Sequence, residues 1–227
     1  MPIINMVYKK KKWWKPWSNT IAYYKFDWNT NDYSWNWYNF TTIQWTAEYN
    51  TVNTNKQAAH FLWTWIRASN WFAYRSNSWS PSSWNMTISF WYKCLGSTWT
   101  TQEILCNRDF HWYTWMCMLW PDKEYRFHGS AQERTWHILT EWTWTQIVNV
   151  VNWGNCYVYI NWNLVYSDSY SYGSGSQSLC IWWVVRDVGT VEEPARWDLS
   201  EVIIESTPRT AQEVADYYNS TKSNYWL

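Results

Sequence analysis

The chain has 227 residues, enough to bury a proper core in one large all-β domain or two small ones. Its 18 Lys plus Arg balance 18 Asp plus Glu, so the formal net charge is zero and no global field favours nucleic acid or acidic partners. No apolar run reaches the roughly 18 residues of a membrane-spanning helix, and the opening MPIINMVY is too short for a secretory h-region. The expectation is a soluble protein acting at an extracellular surface or on a virus particle, exported by lysis or by assembly into that particle.

In chain order, YKKKKWWKPW (Tyr8 to Trp17) puts five Lys into ten residues. Taken literally it is a basic, aromatic tail fit for an anionic membrane surface or single strands; with glycine at the Trp positions it is a solvated linker. Pro16 and the missing helical periodicity favour the second, so residues 1–18 are expected as a flexible basic tail and residues 19–227 as one domain. TIAYYKF (Thr20 to Phe26) alternates like a half-buried strand. QAAHFL (Gln57 to Leu62), MTISFWYKCL (Met86 to Leu95), QEILCNR (Gln102 to Arg108), WMCML (Trp115 to Leu119) and EYRFHG (Glu124 to Gly129) continue the pattern. Trp144 to Ser167 reads as three alternating strands separated by NWGN and NWN. SLCIWWVV (Ser178 to Val185) and WDLSEVIIES (Trp197 to Ser206) follow. The one convincing helix closes the chain: Thr210 and Glu213 form a T-x-x-E capping box, and Val214, Tyr217 and Tyr218 give i, i+3, i+4 apolar spacing. Many short strands and one short helix predict an all-β, two-sheet antiparallel jelly-roll sandwich.

One compositional anomaly runs through these elements. There are 26 Trp but only 6 Gly, where a usual glycine share of roughly 7% would give about 16. The surplus Trp stand in turns: FDWNTNDYSWNWYNFTT (Phe26 to Thr42) has the Asn- and Asp-laden texture of a tight loop, yet indoles occupy places that suit glycine. With Gly at Trp153 and Trp162, NWGN and NWN become strong hairpin signals.

Six pieces, in order, carry a family resemblance: IAYYKFDWNTNDYSWNWYN, AAHFLWTW, MTISFWYK, TWTQIVNVV with CYVYINWNLV, LCIWW, and RWDLSEVIIESTPRTAQEVADYYN. From Asn19 onward the chain resembles the laminin G-like, concanavalin A-like lectin jelly-roll superfamily. In that resemblance Trp28, Trp35, Trp37, Trp162, Trp182, Trp183 and Trp197 fall on family glycines, whereas Trp91 and Trp144 fall on family tryptophans. The reading is that UGA codons have been rendered as Trp in a gene whose own code reads UGA as Gly; the alternative is a genuinely Trp-rich aromatic binder.

The resemblance also implies sites. Such sandwiches commonly hold a calcium ion between the opening loop and a late strand, which nominates Asp27, Asn29, Asp32, Ser34, Asn36 and Glu201, with oxygen donors suited to a hard cation. The chain departs from the family at Ser200, where an Asp is usual, and Asx turns that merely shape the loop are the alternative. Carbohydrate sites in related domains use rim loops or a sheet face with an aromatic and polar groups. Candidates are Trp71, Tyr74, Arg108, Asp109, Tyr113, Trp136 and Arg186, for each of which a bland role as solvated loop residue or core aromatic is the leading alternative.

Catalysis has little support. The paired-carboxylate strand pattern of polysaccharide-cleaving relatives is absent, and Asp122 with Glu124 beside Lys123 reads as a solvated edge. His60, His111, His128 and His137 form no metal-binding spacing, and no phosphate loop or nucleophile elbow occurs. Cys94, Cys106, Cys117, Cys156 and Cys180 are widely spaced and read as isolated buried thiols. Arg196 to Asp198 would become R-G-D under recoding, a coincidence at the start of a strand. The expected function is non-catalytic adhesion to a glycan or to a cell-surface or virion protein, with calcium as a candidate cofactor. The alternatives are a phage structural or decoration protein and a glycoside hydrolase.

Overall fold

The computed structural model describes residues 19–34, 36–40, 42–44, 48–62, 72–74, 84–96, 101–109, 112–129, 132–171, 179–181, 185–186, 190–191 and 196–227. The stretch 1–18, expected as a basic tail, lies outside them. In chain order the strands are β1 (Thr20–Tyr24), β2 (Thr42–Gln44), β3 (Glu48–Asn53), β4 (Lys56–Leu62), β5 (Phe72–Tyr74), β6 (Asn85–Cys94), β7 (Gln102–Asp109), β8 (Trp112–Leu119), β9 (Glu124–His128) and β10 (Gln132–Ile138). They continue with β11 (Trp144–Asn152), β12 (Asn155–Ile160), β13 (Asn163–Ser169), β14 (Leu179–Ile181), β15 (Val185–Arg186), β16 (Thr190–Val191) and β17 (Arg196–Glu205), before helix α1 (Ala211–Thr221) and a 3-10 turn, Lys222–Tyr225.

Two antiparallel sheets form the sandwich. The eight-stranded sheet runs β13-β12-β11-β6-β17-β4-β3, with β1 also on β17, and the seven-stranded sheet runs β10-β9-β8-β7-β14-β5-β2. Strand alternation builds the core between them: Ile88, Phe90, Ile147, Val151 and Ile204 from one sheet meet Trp115, Cys117, Leu119, Tyr125 and Phe127 from the other. Asn149 brings a polar side chain into this interior. Asn149 accepts from the Tyr125 hydroxyl at 3.0 Å and donates to Cys117 Sγ at 3.5 Å, and burial pushes the Cys117 thiol up to about 12. Cys94, Cys106 and Cys156 are buried as well.

The alternating pattern of β11 puts Val148 and Val150 on the outer face, and helix α1 covers them with Val214. Its N-terminus is fixed by the box read from the sequence, Thr210 accepting from the Glu213 N–H while Glu213 accepts from the Thr210 N–H. Tyr218 and Tyr225 then stack on Trp91 with ring centroids 5.7 and 4.0 Å away. The outer face of the eight-stranded sheet is thereby closed along the length of the helix.

Several boundaries differ from the sequence reading for local reasons. The first strand ends at Tyr24 rather than Phe26, because Phe26 turns at φ 58° while its ring stays in the core. β3 and β10 are edge strands, and their half-polar sequences EYNTVN and QERTWHI lack a clean apolar period. The stretch Ser178 to Val185, expected as one strand, holds β14 and the start of β15; residues 182–184 are outside the described set.

Most described tryptophans fall into two groups, with exposed Trp84 and half-buried Trp120 belonging to neither, since neither has positive φ. Trp91, Trp115, Trp144 and Trp197 are buried, whereas Trp28, Trp37, Trp136, Trp142, Trp153, Trp162 and Trp226 are exposed and have positive φ. Trp197, matched to a family glycine, is fully buried in β17 beside Tyr92, unlike Trp28, Trp37 and Trp162. Trp35, Trp182 and Trp183 lie outside the described residues.

Urea unfolding checks the role of the helix. Trp91→Ala, which strips the platform under two tyrosines, is expected to cost about 3–5 kcal/mol, while Thr210→Ala, which removes one cap, costs about 1 kcal/mol.

Candidate functional site

The opening loop and the late strand do come together, at the point where β17 changes partners. Its first half pairs with β4 through Leu199 and its second half with β1 from Val202, with a register shift between Ser200 and Ile203 opposite β6. Glu201 sits in that bulge at φ 50°, which re-aims its side chain. Glu201 Oε1 lies 2.5 Å from Lys56 Nζ, and its Oε2 accepts from the Tyr217 hydroxyl at 3.0 Å. Asp27 is 4.0 Å from the same ammonium and accepts from the Gln57 N–H at 3.1 Å. Ser200, in the place of the family Asp, is instead the acceptor for the Tyr225 hydroxyl at 3.0 Å. Burial and the Glu201 charge push the Tyr217 and Tyr225 hydroxyls well above the usual phenol range.

The other nominated calcium ligands shape the loop. Asp32 accepts four bonds of 2.7–2.9 Å, from the N–H groups of Tyr23, Ser34 and Tyr38 and from the Ser34 hydroxyl. Asn29 accepts from the Asn31 N–H, and the Asn36 amide donates to the Thr20 and Ile21 carbonyls. Among the described residues no group of three or more His, Cys, Asp or Glu side chains is placed to hold a metal. A lysine ammonium stands between the two carboxylates, Glu201 and Asp27, that a cation would bridge, and the set does not fit a calcium ion. The Asx-turn alternative describes Asp32 and Asn29.

The outer face of the seven-stranded sheet is chemically richer. Tyr125 and Phe127 point into the core, so Glu124, Arg126 and His128 point the other way, beside Met116, Met118 and Cys106. All six are buried. Glu124, expected in a solvated edge, is instead a clamped carboxylate: Oε2 accepts from Arg126 Nε at 2.9 Å, Arg126 at 2.7 Å and Arg134 at 3.2 Å, and Oε1 from the Trp136 N–H at 2.9 Å. Burial alone would raise its pKa, but these four donors and the Arg126 charge outweigh that and hold it below the ordinary value. The guanidiniums of Arg126 and Arg134 lie over the rings of Trp120 and Trp136, at 3.4 and 3.9 Å. Burial, then the Arg126 charge, lowers the His128 pKa to about 4, so that imidazole is neutral near pH 7.

Of the nominated sugar-binding residues, register gathers four at one end of this sheet. Arg108 pairs with Tyr113 and Asp109 with Trp112, and Tyr74 lies across β14 from β7 through Cys180 and Cys106. Trp136 belongs to the other end, past Arg134, which pairs with Arg126. Arg186 is in the separate β15-β16 hairpin, and Trp71 is outside the described residues. Sequence reasoning missed one cluster on the eight-stranded sheet. Asp198 is buried with Oδ1 2.5 Å from His60 Nδ1 and 3.0 Å from the Asn50 amide, and Oδ2 4.0 Å from Lys93 Nζ. No local spacing marks it, since three of its members come from strands far apart in sequence. The same burial removes Asp198 from any exposed adhesive tripeptide.

The architecture has solved counterparts. Domain 4 of AbnA, a GH43 extracellular arabinanase from Geobacillus stearothermophilus solved in complex with arabinotriose, matches with a TM-score of 0.66 and 20% identity, over 87% of this chain and 97% of that one. The fold is that of a two-sheet antiparallel β-sandwich. The binding domain of Paraclostridial Mosquitocidal Protein 1 matches with a TM-score of 0.64 and 17% identity, over 89% of this chain and 52% of that one. Botulinum neurotoxin type C, which enters cells dependent upon interaction with two ganglioside molecules, matches at 0.65 and 14%, over 89% and 51%. The chain thus spans about half of either toxin chain. No protein-family model matches it, and no curated protein sequence matches it.

Two outcomes check this geometry. Lys56→Met leaves Glu201 buried without its counter-ion and is expected to cost about 3–5 kcal/mol, while chelator leaves the melting temperature of the unaltered chain unchanged. For His128, the unfolded imidazole titrates near 6.5 and the folded one near 4. Between those values the unfolded state binds more protons, so stability falls as pH drops through that window, by about 3 kcal/mol in all. In pH-dependent urea titrations His128→Gln is expected to flatten that slope.

Proposed function

We propose that this chain is a laminin G-like, non-catalytic glycan-binding module that works without calcium and takes its sugar at the end of the seven-stranded sheet holding Tyr74, Arg108, Asp109 and Tyr113. One observation carries the reading: strand register brings Tyr74 to the same sheet end as Arg108, Asp109 and Tyr113, with β14 between β5 and β7. Those residue types are ones that sugars use, aromatic rings for a C–H face and charged groups for hydroxyls. The other broad surface is in use, because helix α1 packs on the outer face of the eight-stranded sheet. Fold neighbours solved with arabinotriose, or dependent on gangliosides, support a saccharide as the ligand class. No acid and base pair is free to cleave it at Asp122 and Glu124, since Glu124 is held by two arginines and Asp122 accepts from the Glu124 N–H at 3.1 Å.

Binding to arabino-oligosaccharides and to sialylated ganglioside headgroups, measured by calorimetry with and without chelator, tests the proposal and separates the two sugar classes. Tyr113→Ala and Arg108→Ala are each expected to weaken the bound class about tenfold, some 1.4 kcal/mol, with the fold intact. Silence on a broad glycan array, or turnover of the sugar, would contradict it.

A further inference from the structure

We infer that the natural polypeptide carries glycine, not tryptophan, at positions 28, 37, 136, 142, 153, 162 and 226, and that the codon behind each is UGA, read as glycine by the cells that make the protein. Among the described residues eleven non-glycine positions have positive φ, and seven of them are these tryptophans, with φ from 47° to 71°. A side chain with a Cβ is disfavoured in that region, whereas glycine occupies it freely. The indoles do make surface contacts, such as Trp136 under Arg134 and the Trp226 indole N–H to the Val52 carbonyl, but none of these requires the left-handed backbone.

Each position that can be classified is a glycine position by its local geometry. Trp153 and Gly154, at φ 47° and 82°, are the two central residues of the turn joining Asn152 to Asn155. Asn161 and Trp162, at 48° and 65°, do the same between Ile160 and Asn163, so Asn-Trp stands where a tight hairpin takes Asn-Gly. Trp136 sits at φ 57° inside β10, where the register to β9 shifts between Arg134 and Ile138, the backbone of a glycine bulge. Trp226 is the left-handed cap of the final 3-10 turn.

Packing separates the same seven from the core tryptophans, and backbone angle separates them from Trp84, which is 58% exposed without positive φ. The exposure of the seven runs from 43% to 76%, while Trp91, Trp115 and Trp144 are at most 7% exposed and none of the three has positive φ. The seven do not form one aromatic surface either, because Trp153 and Trp162 lie at opposite ends of β12. Backbone roles survive the exchange: the Trp136 N–H that holds Glu124 and the Trp142 N–H that donates to the Cys94 carbonyl at 2.7 Å belong to the main chain. The inference is independent of the glycan reading, and it removes Trp136 from the native ligand-binding surface.

Peptide mass spectrometry of the protein purified from the cells that naturally make it is the test. Glycine masses at the seven positions and tryptophan masses at 91, 115 and 144 are expected. Tryptophan at the seven, or glycine at the three, would overturn the inference. In the chain that carries tryptophan at these positions, Trp153→Gly and Trp162→Gly are each expected to raise the melting temperature by about 2–4 °C, and Trp91→Gly to lower it. A melting temperature unchanged or lowered by both turn substitutions would count against the backbone argument.

Discussion

The contact between Lys56 and Glu201 is the constraint on which the arrangement of this sandwich turns. β17 lies at the centre of the eight-stranded sheet and must exchange one neighbour, β4, for another, β1, halfway along its length. At that exchange the ladder lapses, and Glu201 bulges out with a backbone angle that costs energy unless its surroundings fix it. Lys56 from the start of β4, Asp27 from the loop after β1 and Tyr217 from the helix all converge on the bulge. A buried ion pair is a poor source of net stability, since desolvation offsets most of its attraction, but an ion pair with a missing partner is severely penalised. Here it ties three chain segments and the helix to one register, which is a gain in uniqueness more than in energy.

The same logic governs the charged face of the other sheet. Glu124 and Arg126 are taken out of water on a surface that also carries Met116 and Met118, and they are tolerated because the carboxylate receives four donors and the guanidinium covers an indole. This clamp fixes β9 against β10 at the bulge.

Much of the fold could be read directly from periodicity. MTISFWYKC and WTQIVNVVN alternate so cleanly that β6 and β11 were legible nearly to the residue, and the T-x-x-E box located the helix and its buried face. β3 and β10 were not, because an edge strand has one solvated side and needs no apolar period. The candidate site was legible only as residue types. Arg108, Asp109 and Tyr113 come from one short stretch, but that Tyr74 shares their sheet end follows from pairing across β5, β14 and β7, which no short stretch encodes. The acidic opening loop suggested a cation because oxygen donors are visible in sequence, whereas the lysine that answers Glu201 comes from 145 residues earlier and bears no local mark.

What the sequence determined by itself was the period of each strand, the cap of the helix, and the presence of indoles at turns that suit glycine, since all three depend on residues within a few positions of one another. Tertiary structure alone decided that Glu201 meets an ammonium, that Glu124 is clamped rather than solvated, and that Trp197 is interior while Trp153 is exposed. Those outcomes depend on which strands lie side by side, and that is settled by burial of the whole core at once and not by any segment's own preference.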